Sequence, residues 1–322
     1  AMGVAPLHNA CAVAGVFLLP PAAIRHSRGF AMKPAPFDYY APDTIQDAVG
    51  LLERLEDEGV EAKIIAGGQS LTPMLNLRVA RPDALVDLRR VKDLAYIRQE
   101  GDVIAIGAMT SKSDAEDSDL LLAHNPLFQR ASHLIGHRQI RNRGTVGGSF
   151  AHADPAAEYG AVAMVCDIGL KIVGPDGERT VPSDEFYVTF FTTDIAATEI
   201  LTEVRVPALP AGTGWAIQEI CRRDGDLAVA GAAVTLRIDD GCLSDVRIGL
   251  FGVNGSPGRL EAAEAMLAGQ QPEAALFERA GRAGADSLRE PITDVHGTGE
   301  YRRQLVSVLV ARCLAEAVAR LV

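Results

Sequence analysis

The sequence reads Ala66-Gly67-Gly68-Gln69-Ser70-Leu71 directly after a short apolar run, residues 62–65, that is typical of a buried strand. Two adjacent glycines let the backbone turn sharply and direct several N–H groups to one place, and such a nest binds anions. Side chains at these positions would block the close approach of a diphosphate. An isolated Gly-Gly pair is more often a plain tight turn, so this interpretation depends on the rest of the chain.

A second stretch repeats the arrangement and reads Thr145-Val146-Gly147-Gly148-Ser149, at the end of a polar, basic and glycine-punctuated segment that begins at residue 136. A small hydroxyl residue again follows closely on the double glycine. The two loops together could therefore clamp a dinucleotide diphosphate from both sides. Neither has the GxGxxG spacing of a βαβ dinucleotide site or the GxxxxGK[ST] spacing of a P-loop, so a phosphate cradle of another kind is expected.

The composition is that of an ordinary globular protein, with 48% hydrophobic and 23% charged residues among 322. A chain of this length is typical of two or three domains, at about 100 to 200 residues each. The formal net charge of −11 argues against a nucleic-acid binder, because phosphate recognition depends on Lys and Arg. The five cysteines are dispersed and include no CxxC pair for zinc or an iron–sulfur cluster, so a reduced, cytoplasmic compartment is expected.

The first 31 residues differ from the rest. Residues 10–24 are apolar, but Pro20 and Pro21 interrupt them, and the basic residues follow this run, whereas in a secretory signal they precede it. We expect residues 1–31 to be an extension outside the fold, with Met32 as the original start; an atypical leader is the alternative. No later segment has the length and apolarity of a transmembrane helix.

From Phe37 to about residue 209 the pattern mixes short strands and helices. Apolar residues at helical spacing predict a helix from Asp43 to about Glu58, where Gly59 ends it. A second helix is predicted over residues 126–135, with Asn125 as its N-cap. Strands are predicted at 62–66, 85–88, 103–106 and 199–207, and a hairpin with a Pro-Asp-Gly turn at 170–181. Residues 161–170 fit a strand or a helix equally well.

A Pro/Gly-rich segment, residues 207–214, predicts a domain boundary near residue 210. Beyond it, residues 228–238 and 243–253 are expected to be paired strands around the turn at 239–241. Three helices should follow, at about 257–268, 272–284 and 299–320.

Four motifs resemble those of one family, the FAD-binding medium subunits of the molybdenum hydroxylases, such as the carbon monoxide dehydrogenase and xanthine dehydrogenase groups. The motifs are AGGQSL at 66–71, RNRGTVGGSFAHADPAAE at 141–158, CRRDGDLAVAGAA at 221–233 and HGTGEYRRQLVSVLVARCLAEA at 296–317. They occur in the family's order and approximate spacing. The resemblance covers the chain from Met32 to its C-terminus.

The resemblance implies an α+β fold: two FAD-binding subdomains of the vanillyl-alcohol-oxidase (PCMH) type, plus a C-terminal domain with a small antiparallel sheet and helices. The corresponding boundaries are residues 32–86 and 87–209 for the subdomains and 210–322 for the C-terminal flavoprotein domain.

The resemblance also implies which residues bind FAD. The matching stretches, Ala66 to Leu71 and Thr145 to Ser149, wrap the diphosphate and the ribityl chain. Asp154 and Glu158 match positions near the adenosine and its ribose, Leu201 matches a backbone contact, and Gln218, often a lysine in relatives, matches a position near the isoalloxazine. The first stretch has no His, Cys or Tyr to tether the cofactor, as in the non-covalent branch of the fold.

The function implied is that of an FAD-carrying electron-transfer subunit, with no catalytic residue and no metal ligand of its own. A large subunit with molybdopterin would oxidise the substrate, a small subunit with [2Fe–2S] clusters would deliver electrons, and the flavin would pass them to an external acceptor. The expected assembly is a dimer of heterotrimers. Two alternatives stay open: a self-sufficient flavin oxidase or reductase of the same fold, and a regulatory subunit whose flavin site has decayed.

Several polar residues near the second stretch allow more than one interpretation. His152 could orient the loop through hydrogen bonds, or could approach the flavin or a partner subunit. The basic residues Arg138, Arg141 and Arg143 could form a solvated face, or could contact the cofactor phosphates or an acidic partner. His133 and His137 lie four residues apart, but no third ligand suggests a metal site. The charged turn at residues 222–226 could be merely exposed or lie beside the flavin.

Overall fold

The computed structural model describes residues 32–321, and the predicted extension, residues 1–31, lies outside this range. The chain first forms a three-stranded parallel sheet of order β1-β3-β2. Its strands and the two helices around it are β1 (Asp38–Tyr40), α1 (Ile45–Asp57), β2 (Ala62–Ile65), α2 (Leu71–Asn76) and β3 (Ala84–Asp87). Thr44 caps α1 by accepting the backbone N–H of Asp47 at 3.1 Å. Leu52 and Leu55 of α1 pack against Val86, and the predictions for this region are confirmed.

A five-stranded antiparallel sheet follows, with the strand order β4-β5-β10-β6-β7. Its strands are β4 (Ile97–Glu100), β5 (Val103–Gly107), β6 (Gly169–Gly174), β7 (Gly177–Pro182) and β10 (Ile200–Pro207). The hairpin β6–β7 turns at Pro175 and Asp176, as predicted. A two-stranded ribbon of β8 (Tyr187–Thr189) and β9 (Thr192–Thr193) lies between β7 and β10, and two single-turn 3-10 helices, Leu88–Arg90 and Lys92–Leu94, precede β4.

Short helices connect β5 to β6, and one more follows β7. They are α3 (Lys112–Glu116), α4 (Asp119–His124), α5 (Pro126–Leu134), α6 (Arg138–Arg141), α7 (Val146–His152), α8 (Glu158–Cys166) and, after β7, α9 (Ser183–Phe186). Asn125 caps α5 by accepting the Phe128 N–H at 2.9 Å, as predicted. All nine residues of α8 are buried. Because no polar face marks its periodicity, the pattern of residues 161–170 did not distinguish a helix from a strand.

The polar segment at residues 136–148 contains α6, and the second glycine stretch, which was expected to be a loop, forms the start of α7 at Val146. Thr145, in extended conformation, caps α7 by accepting the Gly148 N–H at 3.0 Å. Glycine normally disfavours helix by about 1 kcal/mol. Here it is needed because a Cβ at Gly147 would overlap the side chain of Ala108 and lie 2.7 Å from the Ala108 Cα.

The C-terminal part contains a four-stranded antiparallel sheet with the strands in chain order. Its elements are β11 (Gly214–Ile220), β12 (Ala230–Asp239), β13 (Cys242–Phe251), β14 (Gly258–Arg259), α10 (Glu261–Leu267), α11 (Ala274–Ser287) and α12 (Gly299–Ala319). The prediction missed β11, and it began α10 too early because Gly258 and Arg259 pair with β13. One face of the sheet packs on α12 through Val306, Leu309 and Val310.

Helix α8 packs on the other face of this sheet, so the core around α8 extends onto the C-terminal sheet. A Cβ at Gly249 of β13 would lie 3.1 Å from the Ala161 carbonyl carbon, which shows how closely the strand approaches the helix. Phe251 and Ala233 of the C-terminal sheet join the core that contains Tyr159 and Val162 of α8. Within residues 32–321, no helix is long and apolar enough to cross a membrane.

The crossing of α11 over α12 depends on Gly281. A Cβ at this position would overlap the backbone carbonyl oxygen of Ser307. We therefore expect Gly281→Ala to lower the free energy of unfolding by about 1–3 kcal/mol, measured by urea denaturation. Gly50→Ala in α1 is the matched control, because its Cβ would have no neighbour within 4 Å. Removing a helical glycine there should leave stability unchanged or raise it by up to about 1 kcal/mol; equal effects of the two variants would contradict the close crossing.

Candidate functional site

The two double-glycine stretches are in direct contact. A Cβ at Gly67 would overlap the carbonyl oxygen of Arg143 and lie 2.7 Å from the Gly144 Cα. A Cβ at Gly144 would lie 3.6 Å from the Gln69 Cγ, and one at Gly148 would lie 3.6 Å from the Ala66 Cβ. Residues that are about 80 positions apart therefore form one continuous surface.

The first stretch presents unpaired backbone donors. Gly68 has a φ of +70°, which favours glycine, and the turn closes when Thr72 N–H donates to the Gly68 carbonyl at 3.1 Å. The N–H groups of Gly68, Gln69 and Ser70 have no hydrogen-bond partner among the described residues. Consecutive free N–H groups in a turn are suited to an anion.

The backbone N–H groups of the second stretch, from Val146 onwards, are already hydrogen-bonded within the protein. This differs from the expectation that both loops present free N–H groups to a ligand. Val146 N–H donates to the Thr110 carbonyl at 2.9 Å and Gly147 N–H donates to the Ala108 carbonyl at 2.9 Å. The Gly148 N–H is taken by the cap at Thr145. Because these donors are occupied, the role left to the glycines here is the absence of side chains.

Lys112 lies beside this surface, although the sequence gave it no prominence. Its backbone N–H donates to the Gly144 carbonyl at 2.8 Å, and its Nζ lies 6.0 Å from the centre of the Tyr159 ring. Burial lowers the pKa of Lys112, against the attraction of Glu158 and Asp154. One local feature of the sequence could have drawn attention to Lys112. It is the first residue of a helix, where the helix dipole disfavours a cation.

Of the predicted acidic positions, Glu158 opens α8 and is only 6% exposed. Burial raises its pKa to about 7, and the charge of Lys112 opposes this shift. Asp154 fixes its own turn by accepting the Ala156 N–H at 2.9 Å. Both carboxyls thus lie near the lysine, in the segment that follows the second stretch.

The two remaining predicted residues lie on strands around the surface. Leu201 of β10 is opposite Ile172, and its neighbour Thr202 accepts the N–H of Ala108, the residue against which Gly147 packs. Gln218 lies on β11 and its side-chain amide donates to a carboxylate oxygen of Glu316 on α12 at 2.7 Å. Leu201 is therefore next to the wall of the site, while the Gln218 amide is engaged with α12.

Glu219, which the sequence did not single out, points to the opposite side of β11 from Gln218. Ile217, two positions before it and on the same face, packs into the core that includes Tyr159. The Oε2 atom of Glu219 is buried and has no hydrogen-bond partner among the described residues. Burial raises its pKa to about 8, and Glu158 and Asp224 contribute to the rise. Predicting β11 and its alternation would have revealed this carboxyl.

The basic cluster is mainly structural. Arg141 is buried and donates to both carboxylate oxygens of Glu116, at 2.7 and 3.0 Å. Arg138 donates to Glu116 and Asp117 at 2.9 Å. These ion pairs hold α6 against α3, and both guanidinium groups are engaged with carboxylates, although Arg138 is exposed and only Arg141 is buried.

The histidines and the charged turn also have local partners. The His133 Nδ1 lies 2.7 Å from a Glu116 oxygen, and no group of residues within the described range could hold a metal ion. His152 lies against the Phe191 ring at 5.1 Å, and burial lowers its pKa. The turn at 222–226 packs on His137, the residue before α6, since a Cβ at Gly225 would lie 2.5 Å from the His137 Nδ1.

Two family models match the chain. The FAD-binding domain in molybdopterin dehydrogenase matches residues 35–209, and the CO dehydrogenase flavoprotein C-terminal domain matches residues 215–317. The chain is 39% identical to the carbon monoxide dehydrogenase medium chain of Hydrogenophaga pseudoflava, covering 90% of this chain and 99% of that one. It is 39% identical to the nicotine 6-hydroxylase medium subunit of Paenarthrobacter nicotinovorans, with 90% and 100% coverage.

The solved structures agree. Carbon monoxide dehydrogenase from Hydrogenophaga pseudoflava superposes with a TM-score of 0.85 at 40% identity, covering 89% of this chain and 99% of that one. Quinoline 2-oxidoreductase from Pseudomonas putida 86 gives a TM-score of 0.84 at 32% identity, with 90% and 100% coverage. The expected α+β architecture is confirmed, and the chain belongs to the family of FAD-binding medium subunits of the molybdenum-containing dehydrogenases.

Proposed function

We propose that this chain is the FAD-carrying electron-transfer subunit of a molybdopterin-dependent hydroxylase or dehydrogenase complex, and that it passes electrons from iron–sulfur clusters to an external acceptor. The observation that carries the proposal is the contact between the two glycine stretches beside free N–H groups. It occurs in a chain that matches medium subunits over nearly their full length.

The residues present fit FAD. The diphosphate needs donors without side chains in the way, and the first stretch offers three free N–H groups at Gly68, Gln69 and Ser70. The glycines of the second stretch let it pack closely on Ala108 and Ala66, which brings this stretch against the first one. We assign the diphosphate and ribityl contacts to the two stretches, the adenosine side to Asp154 and Glu158 with a backbone contact at Leu201, and the isoalloxazine end to Gln218.

The same proposal divides the chain into FAD-binding subdomains at residues 32–86 and 87–209 and a C-terminal flavoprotein domain at 210–322. The division is supported by the sheets: the first part has the three-stranded sheet, the second the five-stranded sheet and the two-stranded ribbon, and the third the four-stranded sheet. When bound, FAD supplies one-electron and two-electron redox chemistry. The protein positions the cofactor and limits the access of water, and the absence of His, Cys or Tyr from residues 66–71 supports non-covalent binding.

The proposed partners are a large subunit with molybdopterin and a small subunit with [2Fe–2S] clusters, in a cytoplasmic dimer of heterotrimers. The names of the relatives, which include a medium chain, a medium subunit and a complex subunit, support an assembly of this kind. Purification of the native complex, with mass spectrometry of its subunits and metals, tests the proposal. Bleaching of the flavin by substrate in the isolated chain would favour the self-sufficient oxidase instead.

Substitution of Gly68 tests the first stretch. Valine there would adopt a strained positive φ and crowd the Thr72 hydroxyl, since a Cβ would lie 2.8 Å from its Oγ1. We expect Gly68→Val to weaken FAD binding at least about 100-fold, measured by quenching of flavin fluorescence on addition of the apoprotein.

The matched control is Gly59→Val, because Gly59 has the same φ of +70° in an open turn after α1. Both variants introduce backbone strain at a positive φ, but only the substitution at Gly68 should weaken FAD binding. Unchanged FAD binding by Gly68→Val would refute the assignment of this stretch.

The buried carboxyl of Glu219 predicts a pH dependence of the apoprotein. Its pKa is raised to about 8 by burial, so the stability that the neutral form provides is lost as the pH rises through this value. Glu219→Gln cannot ionise, so its free energy of unfolding relative to wild type should increase from pH 5 to pH 9 by at least about 1 kcal/mol. Urea denaturation across this range measures the difference. Glu53→Gln, on the exposed side of α1, should show no such trend, and a flat profile for Glu219→Gln would contradict the burial of this carboxyl.

A further inference from the structure

Lys112 is half-buried, yet its ammonium group has no counter-ion in contact within the described part of the chain. Among residues 32–321, no carboxylate lies within 4.0 Å of it and no side-chain hydrogen bond reaches it. Burying an ammonium without a partner costs several kcal/mol. A folded protein tolerates this cost where a ligand supplies the missing charge.

The side chain of Lys112 runs along the contact between the two glycine stretches. Its Cδ would lie 3.6 Å from a Cβ placed on Gly144, and the Gln69 Cγ lies at the same distance from that point. The backbone N–H of Lys112 donates to the Gly144 carbonyl, which fixes the start of the side chain. The backbone and the middle of the Lys112 side chain therefore lie at the contact between the two stretches.

The protein's own carboxyls do not neutralise Lys112. Asp154 and Glu158 attract it only from beyond contact distance. The Asp154 carboxylate accepts the Ala156 N–H, and burial raises the pKa of Glu158 to about 7, against the charge of Lys112. Because no carboxylate of the described residues contacts the Lys112 Nζ, its hydrogen-bonding positions remain available for a ligand.

In oxidised FAD at neutral pH, the diphosphate is the ionised part, because the ring, the ribityl chain and the adenosine are neutral. We infer that the Lys112 ammonium is the counter-charge of the FAD diphosphate and the residue that gives this site its preference for a diphosphate-bearing cofactor over riboflavin. The inference deepens the proposed function and rests on it. The free N–H groups at Gly68 to Ser70 and the lysine then bind the same anion from two sides.

The experiment compares Lys112→Met, Lys112→Arg and wild type as apoproteins of the full chain. Binding of FAD, ADP and riboflavin is measured by calorimetry, with flavin fluorescence as a second readout. We expect Lys112→Met to weaken the binding of FAD and of ADP by about 10- to 100-fold, which is the effect of losing a hydrogen bond to a charged group. The affinity of Lys112→Met for riboflavin should change by less than about twofold. Lys112→Arg should retain most of the FAD affinity.

Two controls keep the result interpretable. Lys63→Met, an exposed lysine on β2, should bind all three ligands as wild type does. Lys112→Met removes a poorly solvated charge and keeps the length of the side chain, so its thermal unfolding temperature should be equal to or above that of wild-type apoprotein. A matching unfolding temperature shows that any lost affinity is not due to misfolding.

The outcomes separate this inference from the proposed function. If wild type binds FAD and Lys112→Met binds FAD and ADP equally well, the inference is wrong and the proposed function stands. If Lys112→Met loses riboflavin as strongly as FAD, the lysine faces the ring and the inference is also wrong. If wild type itself takes up no FAD, the proposed function fails.

Discussion

The fold around the site depends on one backbone-to-backbone contact, that of Gly67 with the peptide between Arg143 and Gly144. It joins the edge of the parallel sheet to the helical segment that precedes the second stretch. Only a residue without a side chain permits this approach, and the ion pairs of Arg141 with Glu116 keep α6 in place behind it. Everything that the site offers a ligand, including the free N–H groups and the lysine, is arranged along this contact.

Most elements with local signals were predictable from the sequence. The cap at Asn125, the Pro-Asp-Gly hairpin and the amphipathic α1 are determined by residues close in the chain. Elements whose structure depends on residues distant in the chain could not be predicted. Helix α8 has no polar face because it is buried on all sides, and the N-terminal turn of α7 contains glycines because Ala108, some 40 residues earlier, leaves no room for anything larger. Strand β11 was missed because Ala216 and Ile217 are both buried and interrupt the alternation.

The residues of the candidate site also include some that could be predicted from the sequence and some that could not. The two glycine stretches stand out as motifs, and their resemblance to a family indicated FAD before any geometry was known. The second stretch has no free N–H at Val146 and Gly147 because the carbonyls of Thr110 and Ala108 accept these groups. No local sequence pattern encodes this pairing. The importance of Lys112 and Glu219 likewise comes from burial and from the absence of a contacting partner, which are properties of the folded chain and not of a motif.

Helix α8 has a consequence for how this chain can evolve. It begins with Glu158 at the candidate site and then lies in a core that also includes residues of the C-terminal sheet. Losing the C-terminal sheet would expose an apolar face of the same helix that holds this carboxyl in place. The C-terminal part contributes few residues to the site, yet it cannot be discarded or exchanged as an independent module without disturbing the surface where the two glycine stretches meet.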